Sequence, residues 1–105
     1  MPPVRVAALA DLPSGKTLVV KLKETPIILV NVAGMFYALH DRCSHANAHL
    51  SHGDLDSEAL TMECPLHGAR FDLQTGHPRS LPATKPVKTY TVYAEGDDLF
   101  VDFND

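Results

Sequence analysis

The sequence predicts a mainly β protein, and three observations support that class. Short segments rich in β-branched or aromatic residues recur along the chain, each bounded by Pro, Gly, Ser or Asn. Near the C-terminus these segments alternate in a period of two, which places successive side chains on opposite faces of a strand. No stretch keeps helical periodicity over the roughly ten residues that a helix prediction needs.

The predicted strands are, in order, residues 4–7, 17–21, 27–32, 35–39, 59–63, 69–73, 87–93 and 99–103. Ala33-Gly34 separates the third strand from the fourth, and a glycine there supplies the positive φ that a tight hairpin requires. Gly96-Asp97-Asp98 predicts a second hairpin between the last two strands. Residues 44–51 are compatible with one turn of helix.

Length and charge limit the classes of function. The chain has 105 residues, which fits one domain, and no apolar run approaches the ~20 residues needed to cross a bilayer. Its net charge of -4 disfavours binding to nucleic acid or to anionic lipid. The first residues have neither the apolar region nor the small-residue cleavage site of a secretory signal. We therefore expect a cytoplasmic protein without membrane or nucleic-acid partners.

The most informative residues are two cysteines, each of which lies close to a histidine. The two pairs are Cys43-Ser44-His45 and, after a further 18 residues, Cys64-Pro65-Leu66-His67. Cytosolic thiols are kept reduced, which argues against a disulfide between the cysteines. The alternative for a small domain is a metal site, and both pairs fall on loops next to short predicted strands.

The spacing of the four residues leaves two kinds of metal site to compare. A single tetrahedral zinc normally has two to four residues between the ligands of each pair, and Cys-x-His is too short for that pattern. In a binuclear iron–sulfur centre the two thiolates bind one iron and the two imidazoles bind the other, so a cysteine and its neighbouring histidine need not reach the same metal. Visible absorbance of the purified protein would separate the two.

With their flanking residues, the two loops resemble those of the Rieske-type ferredoxins. The matching residues are Tyr37-Ala38-Leu39, Cys43-Ser44-His45, Leu50, Gly53, Cys64-Pro65-Leu66-His67-Gly68, Phe71-Asp72-Leu73, Thr75-Gly76, Pro82-Ala83 and residues 87–93. The resemblance implies a single Rieske domain, residues 1–105, with the Rieske fold of stacked antiparallel sheets and a small cluster-binding insert. Residues 1–40 and 80–105 would form a basal part, and residues 41–79 would bind one 2Fe-2S cluster through Cys43, His45, Cys64 and His67.

Departures from the family pattern indicate the subtype. Rieske proteins of respiratory and photosynthetic complexes have two further cysteines that form a disulfide, and Ala48 and Leu66 stand at those positions. Those complexes also place a serine and a tyrosine hydroxyl near the cluster, whereas this sequence has Ala69 and Phe71. Without these donors the reduced cluster is less stabilised, so we expect a potential of about -150 mV, at the low end of the Rieske range.

The resemblance implies an electron carrier and not an enzyme. Single electrons would pass from a flavin-dependent ferredoxin reductase to a terminal Rieske oxygenase, with the carrier acting as a monomer. The alternative is a Rieske-like small subunit of nitrite reductase or another accessory redox subunit. The chain is too short to contain the mononuclear iron domain of an oxygenase catalytic subunit.

Other polar residues receive structural interpretations. His40, His49, His52 and His77 are expected to be solvated or hydrogen-bonded to the backbone, although an effect of His49 and His52 on the cluster potential stays open. Gly68 is expected to let the backbone approach the cluster. The acidic residues near the C-terminus predict a solvated hairpin; they are Glu95, Asp97, Asp98, Asp102 and Asp105.

Overall fold

A computed structural model describes residues 3–42, 48–66, 68–79 and 85–102. Its strands are β1 (Val4–Ala8), β2 (Thr17–Leu22), β3 (Thr25–Val32), β4 (Met35–His40), β5 (Leu55–Asp56), β6 (Thr61–Glu63), β7 (Arg70–Asp72), β8 (Thr89–Glu95) and β9 (Asp98–Asp102). Two short 3-10 helices, Leu9–Asp11 and Leu50–His52, interrupt them. The mainly β class is confirmed, and no helix in the described part of the chain is long and apolar enough to span a membrane.

The larger sheet has six strands in the order β1-β9-β8-β4-β3-β2, and all of its pairs are antiparallel. Both predicted hairpins are present. Ala33 and Gly34 have φ values of 51° and 87°, the left-handed geometry of a two-residue turn whose twist matches that of the flanking strands. The second turn is shorter than expected, because Asp98 already pairs with Glu95 as the first residue of β9.

Strand β3 is buried on both faces, which explains its continuous apolar run. Ile27 and Leu29 pack into one hydrophobic cluster, whose other members include Leu99 and Val101 of β9. Ile28 and Val30 point to the opposite face. All four of the β3 side chains are fully buried. Strand β3 therefore lies between two hydrophobic cores. One core contains Ile27 and Leu29, and the other, which contains Ile28 and Val30, lies beneath the smaller sheet.

The smaller sheet has three antiparallel strands in the order β5-β6-β7. Met62 and Phe71 pair across β6 and β7, and both are fully buried against the face of β3 that carries Ile28 and Val30. Strand β5 was not predicted, because two residues are too short to display a period of two. The strand predicted over residues 59–63 begins only at Thr61, since Leu60 has a φ of 56° and belongs to the preceding turn.

The helical turn expected over residues 44–51 lies only partly within the described part of the chain. The structure has a 3-10 helix at Leu50–His52, and residues 44–47 lie outside the described part of the chain. Leu50 is fully buried and is the residue through which this turn joins the core beneath the smaller sheet. Burial of one side chain, and not helical propensity, therefore fixes the turn.

Candidate metal centre

The second Cys-His loop connects β6 to β7 as an extension of their hairpin. The last strand pair is Glu63 with Arg70, and beyond it the N–H of Cys64 donates to the carbonyl of Ala69 over 2.6 Å. Cys64 and Ala69 are fully buried. The residues between them are exposed where they are described, and Leu66 keeps 46% of its surface accessible. The loop therefore has a fixed, buried base and a tip in solvent.

The thiol of Cys64 is free and lies in an apolar environment. Cys64 is part of the hydrophobic cluster that also contains Leu50, Met62 and Phe71, and it is fully buried. Gly68, near the tip of the same loop, has a φ of 72°, a conformation that L residues with a side chain rarely adopt. A Cβ at Gly68 would meet no described atom within 4 Å. The backbone turn is thus what requires glycine in this structure, and an approach of Gly68 to a cluster stays a prediction.

The first Cys-His loop leaves β4, and its base is held by a buried carboxylate. Asp41 is 1% exposed, and its Oδ1 and Oδ2 accept hydrogen bonds from the N–H and the hydroxyl of Ser51 at 2.7 and 2.8 Å. His49 Nδ1 lies 3.1 Å from the carbonyl oxygen of Asp41 and 3.3 Å from Oδ2. Both oxygens are acceptors, so Nδ1 carries the proton. Hydrogen bonds therefore join Asp41, which precedes the loop, to His49 and Ser51, which follow it.

Only one of the four predicted ligands belongs to the described part of the chain. Cys64 is described, whereas Cys43, His45 and His67 lie outside the described residues. Among residues 3–42, 48–66, 68–79 and 85–102, no three His, Cys, Asp or Glu side chains are grouped so as to hold a metal ion. The assignment of these four ligands stays a prediction.

The residues that distinguish the subtype lie around Cys64. Ala69 and Phe71 are fully buried in the same hydrophobic cluster as the cysteine, and Ala48 packs against that cluster. Ala69 is also the hydrogen-bonding partner of Cys64 through its carbonyl. Side chains at positions 69 and 71 therefore face the protein interior near the thiol, where neither alanine nor phenylalanine has a hydroxyl to donate.

The turn that follows β7 is organised by the side chain of Asp72 and folds back on β7. The side chain of Asp72 accepts hydrogen bonds from the N–H groups of Gln74 and Thr75 and from Arg79. Burial raises the pKa of Asp72, but these three donors outweigh it and hold the pKa below its ordinary value. Gly76 closes the turn with a φ of 76°, and a Cβ there would overlap the carbonyl of Val87.

Two of the remaining histidines agree with the expectation, since the ring of His49 lies against the carbonyl oxygen of Asp41 and His77 is exposed to solvent. The N–H of His77 donates to the hydroxyl of Thr75, and its carbonyl accepts from Asp72. His52 lies beside His49, with ring centroids 5.3 Å apart. For His40, burial lowers the pKa, the charges of Arg42 and Lys88 lower it further, and Asp41 opposes them. In the acidic hairpin Glu95 and Asp97 are exposed as expected, and Asp98 forms a solvent-exposed ion pair with Arg5 of β1 at 2.9 Å.

The sequence analysis did not predict the structural roles of the carboxylates of Asp41 and Asp72. Asp41 was seen only as the start of the insert, and Asp72 only as part of a matching motif. A weak signal existed for Asp72, because an aspartate two and three residues before turn N–H groups is a common turn initiator. Asp41 had no such signal, since its partner Ser51 is ten residues away.

The donor chemistry fits an iron–sulfur cluster. Cys64, a buried cysteine outside any disulfide, lies at the base of a closed loop, where its sulfur is a suitable ligand for iron. The family profile of the Rieske [2Fe-2S] domain matches residues 3–91, which is most of the chain. The chain belongs to the Rieske [2Fe-2S] family. The cofactor of this Rieske domain is a 2Fe-2S cluster, which supplies a site that accepts and releases one electron.

Within the Rieske family, this chain is similar to several ferredoxins. The chain is 52% identical over 94 residues to the ferredoxin subunit of 3-phenylpropionate/cinnamic acid dioxygenase from Shigella flexneri and from Escherichia coli K12, covering 89% of this chain and 86% of the relative. The ferredoxin of carbazole 1,9a-dioxygenase from Nocardioides aromaticivorans IC177 superposes with a TM-score of 0.91 at 39% identity over 96% of this chain and 97% of that one.

Two further solved ferredoxin structures are similar to this chain. The Sphingomonas yanoikuyae B1 ferredoxin has a TM-score of 0.88 at 30% identity, covering 98% of this chain and 100% of that one. A ferredoxin solved in complex with the oxygenase of carbazole 1,9a-dioxygenase has a TM-score of 0.86 at 34% identity, covering 94% and 91% of the two chains. This Rieske protein is thus a ferredoxin, an electron-transfer component and not a catalytic subunit.

Proposed function

We propose that this Rieske ferredoxin carries single electrons from a flavin-dependent ferredoxin reductase to a terminal Rieske oxygenase of a ring-hydroxylating dioxygenase. The observation that carries the proposal is the 52% identity, over nearly the whole chain, to a dioxygenase ferredoxin subunit. A structural relative in complex with its oxygenase supports the oxygenase as electron acceptor. These relatives favour a carrier over the small subunit of a nitrite reductase.

The proposed ligands are Cys43 and Cys64 for one iron and His45 and His67 for the other. Cys64 supports the assignment through its burial and its free thiol. Two ferric ions, two sulfides, two thiolates and two neutral imidazoles sum to zero charge, so the reduced cluster carries a charge of about -1. A cluster with four thiolates would be more negative by about two charges, and its reduction would be more strongly opposed.

Electron transfer to a partner is favoured by the shape of the second loop. Electron tunnelling falls steeply with distance, so a carrier needs one edge of its cluster near the surface. Cys64 and Ala69 are buried, whereas Pro65, Leu66 and Gly68 on either side of His67 are exposed. The proposed histidine ligand is therefore flanked by solvent-accessible residues. We propose that a partner docks over this tip, with Leu66 as an apolar contact.

The direct test is reconstitution of turnover with a reductase and a terminal oxygenase from the same genome. Product formation is expected to require the loaded ferredoxin and to be absent with a Cys64→Ala variant. Equal product formation with and without the ferredoxin would contradict the proposed role. Gene neighbourhood supplies the candidate partners, which the structure does not name.

Docking at the loop tip is tested with a matched pair of surface substitutions. Leu66 and Val19 are 46% and 45% exposed, and Val19 lies on the edge strand β2 of the larger sheet. Leu66→Glu is expected to slow electron transfer to the oxygenase while the visible spectrum stays unchanged. Val19→Glu is expected to leave the transfer rate as in the wild type. Equal rates for the two variants would place docking elsewhere.

Three further features belong to this proposal. We propose a monomer, a cytoplasmic location, and a division of the single domain into a basal part, residues 1–40 and 80–105, and a cluster-binding part, residues 41–79. The two sheets support the division, because β1 to β4, β8 and β9 form one sheet and β5 to β7 form the other. Sedimentation of the loaded protein at several concentrations tests the monomer.

A further inference from the structure

We propose that Asp41 is a positioning residue for the cluster: its buried carboxylate closes the base of the first ligand loop and holds Cys43 and His45 in place. The inference rests on the proposed ligand set. It assigns a role to a residue that binds no metal itself but lies two positions before the first proposed ligand.

The carboxylate of Asp41 can be buried because both of its oxygens accept hydrogen bonds. Its side chain is 2% exposed, and a charge so far removed from water is costly unless hydrogen bonds compensate. Ser51 supplies two of these bonds, from its N–H at 2.7 Å and its hydroxyl at 2.8 Å. His49 Nδ1, 3.3 Å from Oδ2, faces the same carboxylate. All of these partners come from the far side of the ligand loop.

The backbone of Asp41 is fixed as well as its side chain. Its N–H donates to the carbonyl of Pro26 on β3 at 2.9 Å, and its own carbonyl lies 3.1 Å from His49 Nδ1. Leu50, between the two partner residues, is fully buried in the core. One end of the loop is therefore bonded to β3, the other is anchored in the core through Leu50, and the two ends are bonded to each other.

Closing a short loop at its base reduces the conformations available to the residues within it. Asp41 and Ser51 join the two ends of the segment that contains Cys43 and His45 in the sequence, so we expect a smaller loss of conformational entropy when a cluster is bound there than in a segment with free ends. Hydrogen-bonded groups that orient metal ligands typically change metal affinity by about 10–100-fold when they are removed. The partners of the Asp41 side chain are Ser51 and His49 and not a proposed ligand, so we expect its effect to lie toward the lower end of that range.

The test compares three substitutions in the loaded protein. Asp41→Ala removes all side-chain acceptors, Asp41→Asn keeps Oδ1 for the N–H of Ser51, and Ser51→Ala removes only the hydroxyl bond. Bleaching of the visible spectrum by an iron chelator is expected to be about 10-fold faster for Asp41→Ala than for the wild type. Asp41→Asn and Ser51→Ala are expected to bleach at intermediate rates. If Asp41→Ala does not accumulate as loaded protein, the two milder variants carry the same test.

A control separates positioning from a general loss of stability. Asp56 also accepts two hydrogen bonds, from the N–H groups of Glu58 and Ala59, but it lies in the smaller sheet outside the first loop. Asp56→Ala is expected to keep the wild-type bleaching rate and the wild-type electron paramagnetic resonance spectrum of the reduced cluster. Asp41→Ala is expected to change that spectrum, because the orientation of a histidine ligand is altered.

Different experimental results would refute the positioning role of Asp41 and the proposed set of ligands. Wild-type bleaching and an unchanged resonance spectrum in Asp41→Ala would overturn the positioning role. Equal acceleration in Asp41→Ala and Asp56→Ala would also overturn it, since that result reports stability alone. A wild-type protein whose spectrum shows no histidine ligation would instead refute the ligand set on which the inference rests.

Discussion

The N–H of Cys64 donates to the carbonyl of Ala69 over 2.6 Å, and this bond closes the loop that contains His67. Both residues are fully buried, so the base of the loop is fixed while its tip reaches solvent. The first loop has the corresponding feature in the bonds between Asp41 and Ser51. Each proposed pair of ligands thus belongs to a loop whose two ends are joined by hydrogen bonds.

His67 tests the proposed ligation of the outer iron. We expect His67→Ala to lack a stable cluster, because an iron with one missing ligand is open to water and chelators. Iron content and the visible spectrum of the purified variant measure this. His77→Ala is the control and should retain both, since its described contacts are made by its backbone. An unchanged spectrum in His67→Ala would show that the ligand is another residue.

Hydroxyl groups introduced beside Cys64 are expected to raise the reduction potential. Ala69→Ser and Phe71→Tyr add donors at two buried positions, and a hydrogen bond to a charged acceptor contributes roughly 1.5–3 kcal/mol, part of which differs between the redox states. Potentiometry measures the shift. Phe100→Tyr is the control, because Phe100 stacks on Tyr93 in the larger sheet. A double variant with the wild-type reduction potential would contradict the claim that the absence of hydroxyl groups at positions 69 and 71 lowers the potential.

Gly53 is expected to tolerate no side chain. Its φ of -93° suits any residue, but a Cβ would overlap the carbonyl oxygen of Glu63, which is backbone and cannot move aside. We expect Gly53→Ala to lower the free energy of unfolding by about 3 kcal/mol or more. Gly34→Ala, which has a φ of 87° and open space, should cost only about 1–2 kcal/mol. Urea unfolding measures both, and equal losses would contradict the steric explanation.

His40 is expected to make stability depend on pH. Burial, the first cause, and the charges of Arg42 and Lys88 lower its pKa below 6.5, so the unfolded chain binds a proton at His40 more readily than the folded protein. Its contribution is therefore complete above about pH 6.5 and declines as the pH falls through the folded pKa. Urea unfolding between about pH 7.5 and 5.5 should show a smaller decline in His40→Gln. Parallel curves would contradict this.

The strands and hairpins were predictable because their signals are local. Alternation in β8 and β9 and the glycine between β3 and β4 lie within a few residues of the structures that they determine. Gly53 illustrates the limit. In the sequence Gly53 is only one of the residues that match the Rieske-type ferredoxins, whereas in the structure a glycine is required there by contact with Glu63, ten residues further along the chain.

The candidate site also combines features with a local sequence signal and features that depend on tertiary contacts. Spacing and family resemblance predict Cys43, His45, Cys64 and His67 as ligands, because the chemistry of a ligand is a property of the residue type. The support for those loops is tertiary. Asp41 is buried only because β3 and the turn at Leu50–His52 meet around it, and no local pattern contains that information.

Mössbauer spectroscopy of the iron-enriched protein tests the central claim most directly, since it resolves the environment of each iron. Ligation by Cys43 and Cys64 on one iron and by His45 and His67 on the other predicts two distinct iron sites in equal amounts, with one iron converted to the ferrous state on one-electron reduction. That ferrous iron is expected to be the one bound by histidine. Two equivalent sites with all-sulfur ligation in the oxidised protein, or zinc in place of iron, would contradict the account.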